Sequence, residues 1–123
     1  CTTTSISMLS NYFGSYIDPG QLATKVLKYT KDGLILWPSV NAIPHMKFDR
    51  RFYGRNDKEI LAALKDPNRA VILEVADKSH WVVALRKTLF SASFMVADPF
   101  HGDKCDVLKR YKNITGFTIF SRK

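Results

Sequence analysis

The sequence has few of the features that mark membrane, disulfide-rich or cofactor-binding proteins. No stretch of its 123 residues approaches the roughly 18 consecutive apolar residues of a membrane-spanning helix, and no signal peptide is evident. The two cysteines lie far apart and outside any Cys-x-x-Cys pattern, so they indicate neither a disulfide framework nor a zinc site. Without a glycine-rich phosphate loop or metal-ligand spacing, the sequence predicts no cofactor and no metal.

Acidic residues are also scarce, since 11 Asp and Glu stand against 19 Lys and Arg and the formal charge is +8. The basic residues occur singly or in pairs, and no run of five or six like charges is typical of a nucleic-acid-binding arm. We therefore expect no nucleic-acid partner. Two interpretations of the charge stay open: a solvated basic face, or a surface that recognises an anionic polymer such as a bacterial cell-wall teichoic acid.

The composition is that of one folded domain. Apolar residues make up 46% of the chain and aromatic residues 12%, which is enough for a hydrophobic core at this length. No repeat, linker or low-complexity segment divides residues 1–123, so we expect a single domain. Because the chain opens on cysteine instead of methionine, we expect it to be one module of a longer or processed protein.

Helical periodicity is confined to the first half of the chain and to short later segments. After Cys1, the apolar residues Ile6, Leu9 and Phe13 recur at helical spacing, and Gly14 is placed to end that helix. Asp18 and Pro19 predict the capped start of a second helix, which carries Leu22, Val26 and Tyr29 on one face, before a turn at residues 31–33. Further short helices are predicted over 38–43, 56–64 and 106–111.

Stretches rich in β-branched and aromatic residues predict strands over 70–75, 80–85, 91–97 and 116–120, and a strand or extended loop over 45–53. A turn is predicted at residues 77–79, between two of these strands, and a loop at residues 98–102. Since most of the helices precede an antiparallel sheet, the predicted fold class is α+β, with N-terminal helices packed on a C-terminal antiparallel sheet.

Cys1 stands at the predicted N-terminus of the first helix. Free backbone N–H groups and the positive end of the helix dipole stabilise a thiolate at such a position. They can lower a cysteine pKa from about 8.5 to between about 3.5 and 7.5. Cys1 is therefore a candidate nucleophile, and a base is expected elsewhere in the chain.

His80 and Asp98 are the candidates for that base and for its orienting carboxylate. His80 begins one predicted strand and Asp98 follows the next, and in a hairpin these two ends are neighbours. A carboxylate beside an imidazole fixes the tautomer and orientation of the ring. If the first helix packs at that edge of the sheet, sulfur, imidazole and carboxylate converge on one site.

Three motifs carry a resemblance to a known family. They are Cys-x-x-x-Ser-x-x-Met from Cys1, His-Trp-Val-Val-Ala-Leu from His80, and Val-x-Asp-Pro-x-x-Gly from Val96. In this order and spacing the chain resembles papain-like cysteine peptidases of the bacteriocin leader peptidase type. It is similar more narrowly to the "C39-like" domains of bacterial surface proteins and of phage tail or lysis proteins. The resemblance implies a papain-like fold and amide hydrolysis, with Cys1 as nucleophile, His80 as base and Asp98 as orienting residue.

The sequence departs from that family around the nucleophile. Thr2 follows Cys1 where the family has glycine, and the glutamine that forms the family's oxyanion hole would precede Cys1, so we expect an upstream segment. The backbone N–H groups of Cys1 and Thr2 are the alternative oxyanion donors. Trp81 is expected to wall the cleft and shield it from water, or to belong to the core. His101 is expected to support the site or contact substrate, or to be loop surface.

The sequence therefore predicts a cysteine peptidase or amidase, and its basic charge favours bacterial cell-wall peptide as substrate, with an extracellular, cell-envelope or virion location. A leader-processing or self-processing peptidase is the first alternative. The second is a catalytically degenerate peptide-binding or structural module of a phage tail or secretion assembly. Acyl transfer in place of hydrolysis is a further, smaller alternative.

Overall fold

The computed structural model describes residues 2–15, 17–29, 35–76, 80–89, 91–99 and 101–123. Its strands are Met46–Tyr53 (β1), Arg69–Val75 (β2), His80–Lys87 (β3), Phe94–Asp98 (β4), Asp103–Asp106 (β5) and Ile114–Arg122 (β6). They form a six-stranded sheet in the order β1-β6-β2-β3-β4-β5. Every neighbouring pair is antiparallel, which confirms the α+β class with an antiparallel sheet.

The helices are short, apart from the first. They are Thr2–Tyr12 (α1), Pro19–Gln21 (α2) continuing into a π-helical stretch at Leu22–Val26, a 3₁₀ helix at Trp37–Ala42, Asp57–Leu64 (α3) and Val107–Arg110 (α4). None of the helices in the described ranges has both the length and the apolar character of a membrane span.

The prediction for α1 is confirmed. Ile6, Leu9 and Phe13 are buried at 0%, 3% and 1% exposure, because residues at this spacing share one face of a helix. Gly14 then adopts a φ of +95°, in the left-handed region that glycine enters without steric cost. The sequence thus predicts both the buried face of α1 and the residue at which the helix ends.

The second helical segment is confirmed at its start and wrong at its end. The Asp18 side chain accepts hydrogen bonds from the backbone N–H groups of Gly20 and Gln21. The helix stops at Val26, and Tyr29 instead makes an isolated β-bridge with Ile35. The apolar residues keep helical spacing as far as Tyr29, but the backbone is already extended at Leu27. The predicted turn at residues 31–33 lies outside the described residues, as does the turn at 77–79.

The sheet is covered on both faces, which explains why its central strands are almost wholly apolar. On one face, α1 and the segments up to Ala42 cover a core that includes Ile6, Leu22, Val40, Ile72 and Phe120. On the other face, α3 and α4 cover a core that includes Ile60, Val71, Val82, Val107 and Phe117. The helices are therefore not all N-terminal to the sheet, because α3 follows β1 and packs on β2 and β3.

Strand β5 is absent from the predicted elements. Its four residues read Asp-Lys-Cys-Asp, so they lack the alternation of apolar and polar residues on which strand prediction rests. It is an edge strand that pairs only with β4 within the sheet. At this position the tertiary pairing, and not the local sequence, determines the structure.

Candidate active site

The β3–β4 hairpin brings His80 and Asp98 together. The two strands are antiparallel, with Val83 opposite Ala97, so the start of β3 lies beside the end of β4. His80 Nε2 lies 2.9 Å from Asp98 Oδ1, and the two residues are only 8% and 1% exposed. This is the proximity that the order of the two strands predicts.

The contact determines which imidazole nitrogen can act as a base. A carboxylate only accepts hydrogen bonds, so His80 Nε2 carries the proton that it donates to Asp98. In the neutral ring, the lone pair is then on Nδ1. A proton taken up by His80 would therefore enter at Nδ1, and the resulting imidazolium would be stabilised by Asp98.

The second oxygen of Asp98 is held by two residues that sequence reasoning missed. Tyr111 Oη donates to Asp98 Oδ2 at 2.5 Å, and Arg110 Nη1 donates to the same oxygen at 3.2 Å. Arg110 also forms a bidentate pair with Asp103, at 2.6 and 2.9 Å. In the sequence, these residues are typical of a solvated basic helix. Because the sequence does not predict β5, it does not predict their proximity to Asp98 either.

Electrostatic effects follow this network. Burial, reinforced by the hydrogen bond to Asp98, raises the pKa of Tyr111, so its hydroxyl stays a donor at neutral pH. The hydrogen bond from Arg110 lowers the pKa of Asp103, and the same bond raises the pKa of Arg110 further. Around Asp98, one cation is therefore shared between two carboxylates.

The beginning of α1 is hydrogen-bonded to the same end of the sheet, at the start of β3. Ser5 Oγ donates to the backbone oxygen of Trp81 at 3.3 Å, in a buried contact, and Trp81 is the residue after His80. Cys1 itself lies outside the described residues. Thr2 is the first residue of α1, and backbone N–H groups in the first turn of a helix have no intrahelical acceptor.

A groove runs between α1 and the turn that follows β4. It has a volume of about 380 Å³, and its walls are Thr4 and Met8 on one side and Ala97, Asp98, Pro99, Gly102, Asp103 and Lys104 on the other. Asp98 thus contributes to the wall of a cleft whose other wall is the N-terminal half of α1, and its carboxylate is buried behind that wall.

Trp81 and His101 are placed differently from one another. Trp81 belongs to the core on the α1 face, where its ring meets that of Trp37 at 5.1 Å, so of the two predicted placements the core describes it. His101 is exposed in the turn between β4 and β5. Its charge contributes to the lowered pKa of Asp103, which places it at the edge of the same network.

One group of described side chains has spacing that could hold a metal ion. The ligand atoms of Asp98, Asp103 and Cys105 lie within 4.8 Å of one another. Arg110 donates hydrogen bonds to both carboxylates, so a guanidinium already supplies the positive charge that a metal would bring. Burial raises the pKa of the Cys105 thiol, which makes it a poorer metal ligand at neutral pH.

Comparisons with known proteins agree with the fold. No family model matches the chain, and no curated protein matches it. Among solved structures, the chain is similar to the crystal structure of the N-terminal peptidase C39-like domain of the toxin secretion ATP-binding protein from Vibrio parahaemolyticus. The TM-score is 0.70 at 15% identity, over 98% of this chain and 95% of that one. At this identity the likeness shows a C39-like fold.

Proposed function

We propose that the protein is a cysteine peptidase or amidase of papain-like arrangement, with Cys1 as nucleophile, His80 as base and Asp98 as the residue that orients His80. The observation that carries the proposal is the buried 2.9 Å hydrogen bond between His80 Nε2 and Asp98 Oδ1. An imidazole held by a carboxylate is the partner that a nucleophilic thiol needs. The fold shared with a peptidase C39-like domain supports the same class of reaction.

In the proposed reaction, His80 Nδ1 accepts the proton of the Cys1 thiol, and the sulfur attacks the carbonyl carbon of the scissile amide. The backbone N–H groups of Cys1 and Thr2 stabilise the oxyanion. As the C–N bond breaks, His80 gives its proton to the leaving amine and a thioester remains. Water, deprotonated by His80, then hydrolyses the thioester and releases the acid and the free thiol.

For the substrate, the first candidate is a cross-linking peptide of the bacterial cell wall. The formal charge of +8 supports it, because a basic protein accumulates on the anionic polymers of a wall. This proposal includes a location outside the cell, at the envelope or on a bacteriophage particle, and it makes an anionic wall polymer a second binding partner.

A secretion role is the second candidate. The similar solved structure is the N-terminal domain of a toxin secretion ATP-binding protein. By analogy, this chain would cut a leader peptide or a site in its own parent protein, or would bind such a peptide without cutting it. The same fold serves either candidate, so substrate assays must separate them.

Alkylation with iodoacetamide at pH 6 tests whether Cys1 is activated. Cys105 is the internal control, because burial raises the pKa of its thiol and only a thiolate reacts readily. We expect mass spectrometry to find Cys1 modified well before Cys105, and His80→Ala to remove the difference. Equal slow labelling of the two cysteines would overturn the proposed nucleophile.

Hydrolysis assays test the function itself. Cys1→Ala is compared with Cys105→Ser, on purified bacterial cell walls and on a synthetic leader peptide. We expect Cys1→Ala to abolish the release of new amino termini and Cys105→Ser to retain it. Turnover of walls alone supports the first candidate, and turnover of the leader peptide alone supports the second. Binding of either substrate without Cys1-dependent turnover would contradict the peptidase proposal and favour a binding module.

A further inference from the structure

The Asp98 carboxylate could turn about its Cα–Cβ and Cβ–Cγ bonds unless its second oxygen is held. That oxygen accepts from Tyr111 Oη at 2.5 Å and from Arg110 Nη1 at 3.2 Å. Both donors come from the end of α4, and both bond the carboxylate oxygen that does not face His80 Nε2. The carboxylate plane is therefore defined from both sides.

Tyr111 also contacts the base directly. The centroids of the Tyr111 and His80 rings are 5.3 Å apart, at an angle of 49°, a separation at which aromatic rings pack favourably. One side chain thus touches both partners of the His80–Asp98 pair: its hydroxyl holds the carboxylate, and its ring lies against the imidazole.

The position of Tyr111 is itself fixed by the fold. Its backbone N–H donates to the Val107 oxygen at 2.8 Å, and Val107 is fully buried. The Asp106 side chain caps α4 by accepting from the Leu108 N–H. A helix of four residues is therefore anchored at both ends, and its last turn presents Arg110 and Tyr111 to the end of β4.

We propose that Tyr111 and Arg110 are positioning residues, which orient the Asp98 carboxylate toward His80 Nε2 and share its negative charge. The inference deepens the proposed peptidase function and rests on it for its biological meaning. The arrangement tunes the basicity of His80: a donor on Asp98 Oδ2 draws electron density from the oxygen that faces the imidazole. Removing that donor leaves more negative charge on the carboxylate oxygen that faces His80, and this charge stabilises the protonated imidazole.

The test is the NMR titration of the His80 imidazole in Tyr111→Phe. We expect the midpoint of the His80 titration to move to higher pH in this variant, because the negative charge of Asp98 is no longer shared with a hydroxyl. Tyr12→Phe is the matched control, since the Tyr12 hydroxyl donates to the Pro67 backbone oxygen at the far end of α1. That variant also loses a tyrosine hydroxyl and its hydrogen bond, at a distance from Asp98, and it should leave the His80 titration unchanged.

Arg110→Gln provides a second reading if Tyr111→Phe does not fold. It should shift the His80 titration in the same direction, whereas Arg55→Gln, which breaks a bidentate pair with Asp57, should not. The charged and titratable groups around Asp98 also include His101, Asp103, Lys104 and Cys105, so His101→Gln is titrated in parallel to assign the signal.

The titration reports on the His80–Asp98 pair whether or not the protein hydrolyses a peptide. An unshifted His80 signal in folded Tyr111→Phe and Arg110→Gln would overturn the positioning role and leave the peptidase proposal standing. A shifted signal in a protein with no Cys1-dependent hydrolysis would support the positioning contacts and contradict the peptidase proposal. In an active enzyme, we expect Tyr111→Phe to lower kcat about tenfold with little change in KM.

Discussion

Two buried carboxylates, Asp98 and Glu74, lie at the same end of the sheet and invite comparison. They are 1% and 6% exposed, and each is held by one arginine and one hydroxyl. For Glu74 the partners are Arg51, whose Nη2 donates at 2.8 Å, and Thr115, whose Oγ1 donates at 2.9 Å. In both clusters, hydrogen bonds from a cation and a hydroxyl compensate for the burial of the carboxylate.

The two clusters differ in what the remaining neighbours can do. Asp98 faces an imidazole, at 2.9 Å, and lies beside a groove. Glu74 lies opposite Trp81 in the β2–β3 register, and the guanidinium of Arg51 sits 4.9 Å from the Trp81 ring. Imidazole can accept and return a proton near neutral pH, whereas a guanidinium on an indole ring cannot.

The comparison therefore separates the candidate proton-transfer site from a packing element built from similar parts. Because side chains alternate along a strand, neighbouring residues of β3 serve the two clusters, with His80 on one side of the sheet and Trp81 on the other. The register of a single hairpin places both. Each prediction below perturbs one cluster and uses the other as its reference.

The largest expected effect is on catalysis in Asp98→Asn. An amide of the same shape no longer fixes the Nε2-protonated tautomer of His80, so we expect kcat to fall by about 10³–10⁴. Glu74→Gln is the matched control: it removes a charge from the other cluster and should retain activity in protein that remains folded. Hydrolysis rates and thermal melts of both variants check the expectation. Equal losses of activity in the two variants would erase the distinction between the clusters.

A large loss of stability is expected from Arg51→Met. The side chains of Arg51 and Glu74 are 12% and 8% exposed, and removing one partner of a buried pair typically costs about 3–5 kcal/mol. Urea denaturation should show this loss in the free energy of unfolding, while His80 titrates as before. The double variant Arg51→Met, Glu74→Leu should recover most of the stability, because no buried charge is then left unpaired. If the double variant is no more stable than the single one, the contact is not what holds this cluster.

The two clusters also show where sequence reasoning succeeds and where it stops. The hairpin that joins His80 to Asp98 is predictable, because two apolar strands that follow one another in the sequence leave few alternative pairings. The contacts of Tyr111 and Glu74 are not, because they depend on β5 and on the pairing of β6 between β1 and β2. β5 lacks a strand-like pattern, and β6 pairs with two strands that are distant from it in the sequence, so no local pattern encodes these contacts.

Gly116→Ala should have an intermediate effect on the Glu74 cluster alone. A Cβ at this position would lie 2.5 Å from Arg51 Nη1 and 2.9 Å from the Phe52 backbone oxygen. The arginine can move but the strand β1 backbone cannot move freely, so we expect a loss of about 1–3 kcal/mol in unfolding free energy. Combining it with Arg51→Met should give less than the sum of the two losses. Strict additivity would show that the added methyl group does not press on the arginine.

The smallest expected effect concerns the Asp98 cluster and is a change in how stability falls at alkaline pH. Because burial and Asp98 raise the pKa of Tyr111 in the folded protein, the unfolded chain releases this proton first, near the ordinary tyrosine pKa of about 10. Above that pH, the folded state binds more protons than the unfolded state. The contribution of Tyr111 to the free energy of unfolding is therefore fully present below about pH 10 and falls as pH rises above it. Denaturant melts between pH 8 and pH 11 should show a shallower fall in Tyr111→Phe than in the parent, and Tyr12→Phe controls for the loss of a tyrosine hydroxyl. A parent and a Tyr111→Phe variant with the same alkaline slope would mean that the Tyr111 hydroxyl does not hold its proton for Asp98.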